Sequence, residues 1–224
     1  AVLRHRAASP RVTGFPMTTM TTDLSAHEAP FTGHVLDTAC RLFAERGPAG
    51  VSMYAIAAAA GVDPIDFRRV FPSKLDLLHR LVLDRTRTLV EYEPAAKEPD
   101  SPVEQMRALI RRHIEFNCRY RTELELRRVL LPTLRAISPA RYRELHRLMR
   151  PYPDRVHRLI ERGRADGVFS PYGESREPVT ATTVLQTLES SLNWYEPDSL
   201  MTPEQLGDVY EDLVLHHLLG VARD

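Results

Sequence analysis

The chain has 224 residues, 43% hydrophobic and 27% charged, which fits one sizeable core or two small ones and excludes a disordered chain. Its 30 Lys and Arg balance 30 Asp and Glu, so it does not coat nucleic acid by bulk charge, and any DNA contact must come from a local surface. Cys40 and Cys118 form neither a disulfide framework nor a zinc spacing, and no stretch approaches the roughly 18 apolar residues of a membrane span.

Residues 1–30 carry Arg4, Arg6 and Arg11 with no apolar block behind them, so a disordered tail is expected there and no secretory signal. The spacing of Val35, Leu36, Ala39, Leu42 and Phe43 predicts a helix over 32–46, ended by Gly47-Pro48. Ser52 caps a short helix over 52–59 that turns Ile56 and Ala57 inward. After the turn Ala60-Gly61-Val62, Asp63 as N-cap and Pro64 at the first helical position open another short helix, which Pro72 stops. Ser73 starts a long helix to about Tyr92, with Asp76 completing a capping box. Residues 93–100 form a polar, proline-bearing linker.

Ser101-Pro102-Val103-Glu104 reads as a second capping box, and the helix behind it sets Val103, Met106, Ile110, His113, Ile114 and Asn117 on one face. Residues 121–136 are helical in pattern, with an interruption expected near Pro132. Ser138-Pro139 opens a helix carrying Tyr142, Leu145 and Met149, which Pro151 and Pro153 must kink or split before Val156, Leu159 and Ile160 resume it. Gly167 is the expected C-cap, and 168–177 a loop. A helix over 178–195 and a last one from the Thr202-Pro203-Glu204-Gln205 cap to about residue 220 complete the chain. No alternating strand pattern rises above noise, so the fold class is all-α, with about nine helices.

The stretch with most chemical content is 53–72, MYAIAAAAGVDPIDFRRVFP. Two short helices packed steeply need a glycine in the turn and a small residue four positions earlier, and Gly61 and Ala57 supply them. Ile56, Ala60, Val62, Phe67 and Val70 supply the core, leaving Pro64, Ile65, Asp66, Arg68 and Arg69 outward. These local features alone also suit any helical hairpin with a glycine turn.

The flanks extend the pattern. Leu42-Phe43-Ala44-Glu45-Arg46-Gly47, Val51-Ser52, Ile56-Ala57, Ala60-Gly61-Val62, and Phe71-Pro72-Ser73-Lys74 with Leu77-Leu78 occur in order over 35–78, and this segment resembles the TetR family of repressors. That resemblance implies a helix-turn-helix DNA-binding domain over 31–78 and a ligand-binding, dimerising domain over 79–224. Gly163 to Phe169 (GRADGVF), with Asn193-Trp194-Tyr195 and Thr202-Pro203-Glu204, is similar to the last helices of a branch that includes acyl-CoA and steroid-CoA responsive repressors. Glu189 and Asn193 stand where members sensing a CoA thioester place aromatic and basic side chains.

The expected DNA contacts are Ser52, Pro64, Ile65, Asp66, Arg68, Arg69 and Lys74. Arg68-Arg69 replace the aromatic usual in the family, and either contact phosphate or read guanine. Asp66 either accepts from a cytosine amine or caps the helix beside Asp63. Ser52 and Lys74, at helix N-termini, are expected to grip phosphate. Over 31–78 five basic residues (Arg41, Arg46, Arg68, Arg69, Lys74) meet five acidic ones (Asp37, Glu45, Asp63, Asp66, Asp76), so binding should be salt-sensitive with little non-specific reserve.

An apolar or amphipathic effector is expected among Met106, Ile110, His113, Tyr142, Met149 and Trp194. The homodimer seam is expected on Leu185, Leu188, Leu192, Leu206, Tyr210, Leu213 and His217, as a four-helix bundle. His157 and Glu161, with His146, read as helix surface rather than a metal site, and no nucleophile elbow, phosphate loop or catalytic carboxylate pair is present, so no catalysis, metal or cofactor is expected. The reading is a cytoplasmic, ligand-responsive repressor on a palindromic double-stranded DNA operator, with no membrane partner. The rival readings are a helical binding protein or enzyme with a superficial helix-turn-helix, and a regulator that has lost its ligand.

Overall fold

The computed structural model describes residues 23–91, 100–170, 178–196 and 199–223, with side chains from residue 31 onward. Linker positions 93–99 and loop positions 171–177 lie outside the described residues. Among the described residues are eleven α-helices and one π-helical segment, with no extended strand. In chain order they are α1 (Asp23–Arg46), α2 (Met53–Ala59), α3 (Pro64–Val70), α4 (Lys74–Glu91), α5 (Pro102–Arg119), α6 (Arg121–Ile137), α7 (Pro139–Met149), α8 (Pro151–Ala165), α9 (Ala181–Glu189), α10 (Ser191–Trp194), α11 (Pro203–Glu211) and the π-helical Asp212–Leu218.

The nine expected helices are present, three of them subdivided. α7 and α8 part at Arg150, before Pro151, whose missing amide ends the hydrogen-bond ladder. α9 and α10 part at Ser190, because side chains take the carbonyls a continuous helix would use. Ser190 Oγ donates to the Thr187 carbonyl at 2.6 Å, Ser191 Oγ to that of Leu188 at 2.8 Å, and Asn117 Nδ2 of α5 to Leu188 as well at 3.1 Å. The last helix changes to π-helical winding at Asp212.

Three local expectations need correction. α1 starts at Asp23, inside the segment expected to be a disordered tail, because the apolar period that marks it begins only at Val35. α6 runs unbroken through Pro132, which is exposed, so water can serve the carbonyl that the ring displaces. Ser101 makes no side-chain cap bond, and Glu104 pairs with Arg107 instead.

Packing divides among linked cores. The first joins Leu36, Leu42 and Phe43 of α1 to Ile56, Ala57, Phe67, Phe71, Leu77 and Leu81, and Leu126 of α6 enters it. The largest joins Met106, Ile110 and Ile114 of α5 to Val156, Ile160, Val184, Leu188, Leu206 and Tyr210. Between them α4 gives Val82 and Leu83 to a cluster with Leu130, Leu134 and Leu145 of α6 and α7. α4 is therefore a shared beam, its first half in one core and its second half in another. α8 ends at Gly167 (φ 71°), and the amides of Val168 and Phe169 return to the Gly163 carbonyl at 2.9 and 3.0 Å, folding the Phe169 ring onto Gly163.

Candidate nucleic-acid interface

Local sequence builds the α2–α3 unit. Ser52 Oγ accepts from the Ala55 amide at 3.1 Å and opens α2. Gly61 takes φ 64°, a left-handed turn that costs other residues strain, and the Val62 amide returns to the Ala57 carbonyl at 3.1 Å. Asp63 Oδ1 then accepts from the amides of Ile65 (2.8 Å) and Asp66 (3.2 Å), opening α3 with Pro64 in its first turn. Phe67 is buried and lies 5.6 Å from Phe71 between ring centroids, which anchors α3 from behind. Pro64, Ile65, Asp66, Arg68 and Arg69 all face outward.

The outward residues are not equivalent. Ile65 is 79% exposed and Tyr54 of α2 is 74% exposed, two large apolar side chains with no part in the core. Asp66 does not cap; it pairs with Arg69 at 3.2 Å within α3. Lys74 Nζ donates to the Pro48 carbonyl at 2.6 Å, tying the start of α4 to the end of α1 rather than pointing freely outward. The Ser73 hydroxyl donates to Asp76 at 2.5 Å and, followed by Arg141 of α7, holds the Asp76 carboxyl below its usual range.

Behind this unit, ionic ties cross from α4 to the helices that follow. Arg85 reaches Asp37 of α1 at 2.9 Å and Glu123 of α6 at 3.0 Å, and its guanidinium lies 4.9 Å from the Tyr120 ring centroid. Burial is the largest single influence and opposes the Arg85 charge, but the Glu123 hydrogen bond together with the charges of Glu123, Asp84 and Asp37 outweighs it and raises the Arg85 pKa. Cys40 lies beside this pair; burial first, then Glu123, pushes its thiol up to about 12, so it is an inert core thiol. Arg141 bonds Asp76, and His79 of α4 lies 3.5 Å from Glu144 of α7.

A cleft lies between α4, α5 and α6. Its wall is Val82, Thr86, Leu89, Phe116 and Leu124, and Arg85, Glu123 and Arg127 give it charge. Its volume is about 10 Å³, room for a single water. The residues expected to line an effector pocket are not gathered there. Met106 and Ile110 are buried in the largest core. Tyr142 packs with Leu83 and Leu130, and Met149 with Phe116 and Tyr152. His113 is buried against Tyr152, and Trp194 stands at the surface, 49% exposed, its Nε1–H donating to Tyr210 Oη at 3.0 Å.

The expected dimer seam also divides. Leu188 and Leu206 are fully buried, and Leu192 and Tyr210 nearly so, all inside the protomer. Leu185 and His217 are half-buried, and Leu213 is 38% exposed. Leu188, Leu206 and Tyr210 pack in the core that α5 builds, whereas Leu213 points away from it. The outward apolar residues of α10, α11 and the π-helical segment are Trp194, Val209 and Leu213. Sequence reading also missed Arg85 and Arg127, because Asp84 and Arg87 beside the one and Glu125 and Arg128 beside the other make both look like ordinary charged helix surface.

Residues 35–81 match the family described as bacterial regulatory proteins, tetR family, and 99–218, over half the chain, match its companion, the tetracyclin repressor-like C-terminal domain. The chain belongs to the TetR family. It is a DNA-binding transcriptional regulator, and α2–α3 is its helix-turn-helix. No curated protein matches the chain. Solved TetR-family structures share its fold. The regulator PfmR from Thermus thermophilus is 26% identical, with a TM-score of 0.68, over 82% of this chain and 98% of its own. AibR, solved in complex with isovaleryl coenzyme A and operator DNA, is 23% identical with a TM-score of 0.65, over 86% and 100%. The ketosteroid regulator KstR2 of Mycobacterium tuberculosis is 21% identical with a TM-score of 0.62, over 86% and 95%.

Proposed function

We propose that the protein is a cytoplasmic repressor that binds a palindromic operator as a two-fold homodimer and releases it when a small molecule enters the C-terminal domain. The observation that carries this reading is α3, which presents Ile65, Arg68 and Arg69 to solvent while Phe67 fixes it to a core that α4 shares with α6. Arg68 and Arg69 would meet guanine edges or phosphate, Ile65 a thymine methyl, and the Ser52 hydroxyl a phosphate. One such helix per protomer has little affinity alone, and a two-fold pair reads two half-sites about one helical turn apart.

The ties from α4 supply the route for release. Arg85 holds α1 and α6 at once, and Arg141 holds Asp76 just behind the reading unit. A ligand that parts α6 from α4 must strain the Arg85–Glu123 tie, and one that parts α7 from α4 the Arg141–Asp76 tie, and either shifts the population of reading-head arrangements. AibR's complex with both an acyl-CoA and operator DNA supports such a two-site design, and no catalytic role is assigned to the chain. The full burial of Met106 and Ile110 favours one second reading, a regulator with no effector. Fluorescence anisotropy with the DNA upstream of the chain's own gene tests both. Operator binding that a small molecule reverses supports the first reading, operator binding that none reverses supports the second, and a chain without sequence preference overturns the assignment.

A further inference from the structure

One deeply buried side chain in the C-terminal domain has a ring nitrogen without a partner. His113, near the middle of α5, is 3% exposed. Its Nδ1 lies 2.8 Å from Tyr152 Oη, with the rings stacked at 5.7 Å. Its Nε2 is buried and has no hydrogen-bond partner. Tyr152 is buried as well, and Arg112, its other polar neighbour, can only donate, so His113 Nδ1 is the acceptor at hand for the tyrosine proton. Nδ1 is then the acceptor, and the ring proton sits on Nε2. The orphan atom is therefore a buried donor, where an unmade hydrogen bond is costly and calls for an acceptor.

The surroundings say which acceptor. The charges acting on the ring are those of Arg127 and Arg112, both positive. Arg127 also lines the cleft, with Leu89, Phe116 and Leu124, and those three share one apolar cluster with Tyr152. Arg127 is now held by Glu189 of α9 at 3.0 Å, a contact that an incoming anion can exchange.

We propose that His113 Nε2 and Arg127 form the head-group end of the effector site, and that the effector is an organic acid, a carboxylate on an apolar chain. This rests on the reading that the protein answers a small molecule. The carboxylate accepts from His113 and replaces Glu189 on Arg127, while the chain opens the cleft toward Leu89 and Leu124. Release of Glu189 frees α9 from α6, and the same cleft wall carries Arg85, which ties α6 to α1. Burial, followed by Arg127 and Arg112, lowers the His113 pKa to about 3, so the ring is a neutral donor at any physiological pH.

The test is calorimetric titration of the full chain with three probes of equal chain length, decanoate, decanol and decylamine, alongside operator anisotropy. Decanoate should bind roughly ten-fold or more tighter than decanol, as a charged hydrogen bond implies, with decylamine weakest. His113→Phe, checked for folding by circular dichroism, should weaken decanoate about ten-fold and leave decanol alone, while His113→Gln, which keeps a donor, should stay within about three-fold of wild type. Equal binding of decanoate and decanol, indifference of decanoate to His113→Phe, or no binding of decanoate overturns the proposal. If decanol or decylamine releases the operator and decanoate does not, the protein is ligand-responsive and this head-group site is wrong. If decanoate binds as described and the operator stays bound, the site stands and the ligand-responsive reading falls.

Discussion

Arg68 and Arg69 are adjacent but are held differently. Arg69 is engaged with Asp66 on its own helix and must leave that pair to meet DNA, whereas Arg68 lies outward and exposed. Arg68→Ala should therefore weaken operator binding more than Arg69→Ala does, by about 1–3 kcal/mol, with circular dichroism unchanged. Asp66→Ala should free Arg69, raise affinity for unrelated DNA and steepen the salt dependence, measured by anisotropy across a KCl series. Lys74 is a case where the sequence suggested one partner and the fold supplies another. Its place at a helix N-terminus points to phosphate, yet the residue that takes it, Pro48, is 26 positions away. Lys74→Ala should lower the melting temperature, with a stability loss of about 1 kcal/mol, and leave the operator salt slope nearly unchanged. A slope flatter by roughly one unit would restore the phosphate reading. His113 sets a pH dependence. Its folded pKa is about 3 against an ordinary 6.5, so the unfolded chain binds the proton first. Stability is full above the ordinary value and falls as pH drops toward 3, by up to about 1.4 kcal/mol per pH unit for that proton. Chemical denaturation of His113→Phe between pH 7 and 4 should show a shallower decline.

Elements were legible where their determinants are local. The Asp63-Pro64 start, the Gly61 turn and the Thr202 capping box each depend on residues within one turn of chain, and each forms as its sequence implies. The break between α9 and α10 was legible only in part: Ser190 and Ser191 take carbonyls within one turn, but the Leu188 carbonyl is also claimed by Asn117, 71 residues away. That Leu188 and Leu206 of the expected dimer face are buried inside the protomer was not legible for a related reason. Periodicity finds an apolar face but not which apolar face meets a neighbour, and the Leu188 face meets α5. The α8 terminus shows how tightly such joints close. An alanine Cβ at Gly163 would meet the Phe169 ring at 2.0 Å, and that ring is buried. Gly163→Ala should destabilise the protein by about 1–3 kcal/mol through overpacking. Addition of Phe169→Leu should recover part of the loss, read by denaturant midpoint.

At the scale of the molecule, the proposed dimer moves from the buried leucines to Trp194, Val209 and Leu213. Leu213→Asp should leave a folded protomer, halve the mass seen by sedimentation at micromolar concentration, and abolish operator binding, because one reading head has too little affinity. Leu188→Asp should instead unfold the chain, since it places an unpaired charge in the largest core. Contrasting outcomes for two leucines on neighbouring helices would place the seam.

The position of Trp194 has a practical consequence. It is the chain's one tryptophan, stacked on Tyr210 with half its surface open, on the face where the partner is proposed to sit. The molecule thus carries its own optical gauge. Its emission should shift blue as protomers associate and red as they part, so operator and effector titrations can be followed at that face without attaching any label.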